Sequence, residues 1–248
     1  MNPDPEVRKP NLVEVGPYVF SERRKKVVLN WNDNNSTVTY LQNRTWHFEP
    51  DLTVGTLDDV VTTLNVPAIR NGSTSYDGVY NMYTGKGTFE KFGELAEWNY
   101  NNHTEIYKSY CGKVNGSAGE FFKPNLEKES VHIFSSDICR SLKLVYQKEV
   151  LVDGIQGIRF VGDDDLFDTS PNNVKHSCYC NSTECPPQGV IDVSACKMNT
   201  PAFISNPHFR NADASYHRAV KGMHPNAKIH QLYIDLEQVT IAALNFVD

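Results

Sequence analysis

The first 110 residues of this chain contain no cysteine, and none follows Cys196. The chain also lacks any run of about 18 apolar residues, the length a helix needs to cross a bilayer. Its longest candidate, "VTIAALNFV" at 239–247, is half that long, and "MNPDPEVRKPNLVEVG" has no apolar core of a secretory signal. Clustered positive charge is missing too. The net charge is −6, which excludes nucleic acid as a main partner because phosphate binding needs grouped Lys and Arg. The one dense basic run, "ERRKK" from Glu22 to Lys26, reads as a solvated turn. There is no G-x-S-x-G nucleophile elbow and no H-E-x-x-H zinc helix. "TGKGTFEKFG" lacks the spacing of a phosphate loop, and "GDDDLFD" (Gly162–Asp168) lacks the glycine and terminal glutamate of a calcium loop. With 40% hydrophobic and 22% charged residues, the composition is that of a folded globular chain.

The cysteines that are present crowd together. Four of the six fall in "HSCYCNSTECPPQGVIDVSACK", residues 176–197, and the others are Cys111 and Cys139. Zinc is disfavoured because structural sites take cysteine pairs two to four residues apart on one turn. Cys178 and Cys180 have one residue between them, and His176 beside them is a lone histidine. No C-x-x-C redox motif occurs. Disulfides are the favoured reading, with 15 connectivities open to six cysteines.

Asparagines in N-x-S/T context occur at Asn34, Asn35, Asn43, Asn71, Asn102, Asn115 and Asn181. That exceeds the roughly three expected by chance. Sequons beside an even set of cysteines indicate an oxidising, extracellular environment and mark loops or exposed strand faces. Asn34 and Asn35 overlap, so one of the two is expected to carry a glycan.

Strand signals dominate. "NLVEVGPYVF" and "KKVVLNW" suit strands, and "STVTYLQNRTWHFEP" reads as two short strands around Gln42–Asn43. "LKLVYQKEVLVDGIQGIRFVG" reads as a hairpin turning at Asp153–Gly154. "DGVYNMYTG", "PAFIS" and "IHQLYIDLE" add further strands. Helical signals are short: "TLDDVVTTLN" with Thr56 as N-cap, "TFEKFGELAEWN" and "SSDICRS". The predicted fold is mainly β with short helices, an antiparallel barrel or sandwich. His208, His217, His224 and His230 invite a metal or general-base site, but their spacings put no pair on one strand or helix face.

The ordered set "EVGPYVF", "VTYLQNRTWHFEPDLTVGTLDD", "LNVPAI", "DGVYNMYTGK", "CGKVNGSAGEFFKP", "FSSDICRSL", "GIRF", "CYC", "GVIDVSAC", "PAFISNPHF" and "GMHPNAKIHQLYIDLE" resembles the class B scavenger receptor family. This family includes fatty-acid translocase, croquemort, lysosomal integral membrane protein and the sensory neuron membrane proteins. The resemblance implies an antiparallel β-barrel ectodomain anchored at both ends and capped by helices, with an apolar tunnel that passes lipid. It implies no cofactor, no metal and a receptor, not an enzyme. It also implies the pairs Cys111–Cys178, Cys139–Cys196 and Cys180–Cys185.

Departures from the family are expected to matter. The helical cap segment is missing near 69–70, where Ile69 runs almost directly into "RNGSTSYDGVY", and no membrane anchor is in the chain. The expectation is a single partial extracellular domain over 1–248, cross-linked across 111–196, at the outer face of the plasma membrane or in endosomal or lysosomal membrane. Its expected partners are lipids or lipoproteins, and apoptotic or microbial surfaces. A soluble, headless binding or decoy module is the alternative, and a secreted hydrolase using the C-terminal histidines is a distant third.

Overall fold

A computed structural model describes residues 10–13, 15–60, 76–87, 89–182, 184–197, 199–238 and 243–247. Its first sheet is antiparallel, in the order β1 (Phe20–Asn32), β2 (Thr37–Phe48), β3 (Tyr76–Tyr83) and β4 (Leu95–Trp98). The second contains β5 (Ser130–Ser135), β6 (Arg140–Val152), β7 (Ile155–Gly162), β10 (Tyr233–Glu237) and β11 (Ala243–Val247), in the order β11-β10-β7-β6-β5. A small pair, β8 (Val190–Asp192) and β9 (Phe203–Ser205), lies apart. The β6–β7 turn has Asp153 at φ 49° and Gly154 at φ 82°, the two left-handed positions a type I′ turn demands.

A short crossing joins the two large sheets. Gly116 accepts from the Leu95 amide at 2.8 Å, Ser117 donates to His132 O at 2.9 Å, and Phe134 donates back to Ser117 O at 2.7 Å. Ser117 thereby bridges Glu94 on one side and Ile133 on the other. The result is one curled surface, a half-barrel running from β1 to β11. Gly116 makes the crossing feasible: a Cβ there would lie 2.2 Å from the His132 carbonyl oxygen.

Alternation along the strands fills the core. Leu144, Ile158, Phe160, Ile234 and Leu236 are nearly inaccessible and pack with Val131, Ile133, Leu166, Ile191 and Val193. A second cluster sits on the inner face of the first sheet, where Tyr40 stacks on Tyr80 at 5.5 Å beside Val38, Met82, Leu95 and Phe134.

Several local expectations change. "ERRKK" is the middle of β1 and not a turn, because Glu22, Arg24 and Lys26 find charged partners on one face. "STVTYLQNRTWHF" is one strand without a break at Gln42–Asn43; the register shift near Leu41/Asn43 is absorbed in its pairing with β3. "NLVEVGPYVF" enters a strand only at Phe20, since Pro17 offers no ladder amide. "SSDICRS" is the β5–β6 turn, and "TFEKFGELAEWN" is one 3-10 turn (Phe89–Lys91) followed by β4. Thr56 begins a turn in which Asp58 N–H donates to its hydroxyl, and residues 56–60 form no helix, while residues 61–65 of that expected helix lie outside the described residues. An α-helix, α1 (Ala214–Ala219), forms where none was expected, capped by Asp213 accepting from Ser215 N–H. None of the described helices is long and apolar enough to cross a membrane.

Candidate functional site

The cysteines meet at one corner. Cys111 lies in the turn Ser109–Gly112, Cys178 in Ser177–Tyr179 and Cys196 in Ser194–Lys197, while Cys139 immediately precedes β6. The structure joins Cys111 to Cys178, Cys139 to Cys196 and Cys180 to Cys185, with Cα–Cα distances of 5.8, 5.8 and 5.7 Å. Tyr107 packs edge-on to Tyr179 between them, with centroids 5.1 Å apart. The fully buried Arg140 lies over the Tyr179 ring at 3.6 Å and donates to Leu166 O at 3.2 Å. Burial pushes the Tyr107 phenol up to about 12 and draws the Arg140 guanidinium below its ordinary range. Every sulfur here is bonded, so the corner braces the fold and offers no thiolate. His176 is held with Nδ1 2.8 Å from Asp165 O, to which it donates.

From this corner a charge network runs onto the inner sheet face. Lys197 reaches Asp137 at 3.5 Å, and Asp137 receives two hydrogen bonds from Arg44 at 2.8 and 3.1 Å. Arg44 also donates to Asp77 at 2.7 Å and approaches Glu22 at 3.8 Å. Glu22 pairs with Arg24, which nears Glu120 at 3.8 Å, and Glu120 pairs with Lys26. The Lys26 ammonium also sits over Tyr40 and Phe121, at 5.4 and 5.6 Å from the ring centres. Burial alone would lower the Arg44 guanidinium, but hydrogen bonds to Asp137 and Asp77 carry it above its usual range. Cations and carboxylates balance within this network, so the network presents no net charge to a ligand.

The same strand face changes character along its length. On β2, Val38 and Tyr40 belong to the closed core, Arg44 carries charge, and Trp46 is 51% exposed. Phe20, cross-strand from Phe48 with rings 5.4 Å apart, is 46% exposed. Beyond the charge network the half-barrel therefore ends in an open aromatic patch. A small, partly open pocket elsewhere, lined by Phe167, Ile204, Asn206, Pro207, Ile229 and Leu232, holds about 50 Å3, room for water only.

The sequons spread widely. Asn34 and Asn35 stand exposed in the β1–β2 turn, and Asn35 Oδ1 accepts from Thr37 at 2.8 Å. Asn102 and Asn181 are exposed, and Asn181 Nδ2 donates to Ile106 O at 2.7 Å. Asn43, on the outer face of β2, and Asn115, before the crossing, are half-buried. Asn71 lies outside the described residues. Among the histidines, the structure stacks His208 on His230 and sets His217 edge-on to Phe209. Sequence spacing gave no sign of the first contact, because it joins two loops through tertiary packing.

Protein peste of Drosophila melanogaster is 28% identical over 298 aligned residues, covering 93% of this chain and 54% of that protein. Scavenger receptor class B member 1 of Rattus norvegicus is 28% identical, covering 96% and 59%. Lysosome membrane protein 2 of Homo sapiens is 27% identical, covering 96% and 63%. The chain thus spans between half and two-thirds of the length of these relatives. The CD36 family profile matches residues 2–72 and 69–247, nearly the whole sequence, and the chain belongs to the CD36 family of class B scavenger receptors.

Proposed function

We propose that this chain is part of a receptor ectodomain that binds lipids or lipid-bearing particles, at the outer face of the plasma membrane or the luminal face of a lysosomal membrane. The observation that carries this is the open aromatic end of the half-barrel, Phe20, Trp46 and Phe48, in a chain of this family. An insoluble ligand gains roughly 0.8 kcal/mol for each methylene it buries against such a surface. The role read here is binding, in keeping with a family of receptors; the cystine corner braces the fold and the charge network is internally paired. Exposed Asn34, Asn35, Asn102 and Asn181 are the favoured glycan positions, and Asn43 and Asn115 the lesser ones.

A partial domain is supported by two further observations. The alignment with Protein peste runs over 298 positions, more than the 248 residues of this chain. The two family matches meet at residues 69–72. A capping segment present in relatives and absent here accounts for both, and favours a binding module over a complete tunnel as this chain's own capability. Native mass spectrometry of the purified chain, after incubation with a fatty acid, a sterol and a carotenoid, tests the reading. Stoichiometric lipid should be retained and should fall at least tenfold in Phe20→Ser/Trp46→Ser. A chain that stays lipid-free with all three classes overturns it.

A further inference from the structure

His208 and His230 lie ring on ring, with centroids 4.1 Å apart and planes 3° from parallel. Each Nδ1 already accepts a hydrogen bond from the intervening loop. His208 takes the His224 amide at 3.0 Å, and His230 takes the Asn226 amide at 3.0 Å. A neutral imidazole that accepts at Nδ1 carries its proton on Nε2, so the loop fixes both rings in one tautomer. His230 is buried, 8% exposed. His208 directly follows Asn206 and Pro207, and His230 stands between Ile229 and Gln231; all four of these neighbours line the small cavity, together with Phe167 and Leu232.

We infer that this pair is an acid-opened clasp: a proton taken up at either Nδ1 turns an acceptor into a donor that faces a backbone N–H, which releases the loop over residues 222–231 and opens the cavity beneath it. The proton comes from solvent and occupies the Nδ1 lone pair; only hydrogen bonds break. A second proton would place two like charges in van der Waals contact, so the doubly charged pair cannot stay stacked. Imidazoles ordinarily titrate near about pH 6.5. The closed loop needs a bare lone pair on each Nδ1, so the clasp is held by neutral rings and is lost where either ring is protonated.

Charged groups also lie on the neighbouring elements. Arg210, after His208, is tied to Asp164 at 3.2 Å, and Asp213 is committed to Ser215 N–H at the cap of α1. His217 and Arg218 lie on α1, and Lys221, His224 and Lys228 lie on the loop flanking it. From β6, Gln147 reaches Gln231 through a neutral hydrogen bond at 3.1 Å.

Hydrogen exchange read by mass spectrometry on the full chain tests the clasp, after division by the intrinsic exchange rate at each pH. Protection of the 222–231 peptide should fall at least tenfold between pH 7.4 and 5.5, while peptides from β6 and β7 keep theirs. In His208→Asn/His230→Asn the side-chain Oδ1 replaces the Nδ1 acceptor and cannot titrate, so the same peptide should lose its pH dependence. Equal protection at both pH values in the unaltered chain overturns the inference, as does a pH response that survives in the double variant. If that variant fails to fold, NMR on the unaltered chain decides. The amides of His224 and Asn226 should titrate with one shared midpoint in the imidazole range, and unshifted amides or a carboxylate midpoint count against the clasp.

Discussion

Arg159 and Asp235 face each other across β7 and β10 and share two parallel hydrogen bonds, Nε to Oδ1 and Nη2 to Oδ2, each 2.7 Å. The Asp235 side chain is completely buried, and the guanidinium also lies 3.7 Å from the Tyr233 ring centre. The pair stands on the sheet face opposite the main core, where the alternation of Ile234, Asp235 and Leu236 sends only the aspartate outward. Fork-to-fork geometry lets one arginine satisfy the carboxylate while its planar face packs on the tyrosine.

Removing the arginine alone should be costly. Arg159→Met leaves a carboxylate buried without its partner and should destabilise by about 3–5 kcal/mol. Arg159→Met/Asp235→Leu should recover most of that loss, giving a strong coupling in a double-mutant cycle. Urea unfolding provides the measurement. Additive losses in the double variant would show that the two side chains act independently.

The crossing at Gly116 makes a second prediction. Gly116 has φ +83° and its added Cβ would meet the His132 carbonyl oxygen, whereas Gly87 has φ +89° and open space around it. Gly87→Ala should therefore cost only the left-handed backbone strain, about 1–2 kcal/mol. Gly116→Ala should cost about 2 kcal/mol more, because rigid backbone must shift where the two sheets join. Equal losses in thermal unfolding would mean that the crossing is not a structural constraint.

Strands were legible where local chemistry alone decides them. Asp153–Gly154 supplies both left-handed residues of its turn, and "YIDLE" alternates cleanly between faces. "ERRKK" was misleading because its charges look solvated until Glu120, ninety-four residues beyond Lys26, arrives to pair with them. The same holds for His208 and His230, whose stacking depends on two loops meeting. The helix α1 is short enough that its Asp213 cap is nearly its whole signal. Phe20 and Trp46 read as strand residues, but that they form an open patch depends on what the rest of the half-barrel leaves uncovered.

Acid should weaken global stability through two other histidines. Burial, with Lys143 opposite it, holds the His132 imidazole below its ordinary range, and burial does the same to His176 despite its bond to Asp165 O. A lowered folded-state value means the unfolded chain binds the proton more readily. Their contribution is present above about pH 6.5 and is lost as pH falls through it. The urea midpoint should drop between pH 7.5 and 5, and drop less in His132→Leu/His176→Leu. An unchanged slope in that variant would assign the acid sensitivity to other groups.

The disulfides should differ in worth by the loops they close. Cys111–Cys178 spans 67 residues and Cys180–Cys185 spans 5. Chain entropy assigns about 4 kcal/mol to the first and about 2 kcal/mol to the second. Contacts widen the gap: Cys111 is buried and packs against Tyr107 and Tyr179, whereas Cys180 is only half-buried, near Ser182. Cys111→Ala/Cys178→Ala should therefore lower the unfolding midpoint far more than Cys180→Ala/Cys185→Ala, with both compared under non-reducing conditions. The small loop also carries Asn181, whose amide already reaches Ile106. Opening it should release that contact locally and leave the Arg140–Tyr179 stack intact, measurable as unchanged near-ultraviolet circular dichroism from the corner's tyrosines. A larger loss from the small loop would place its role in folding the corner and not in closing a turn.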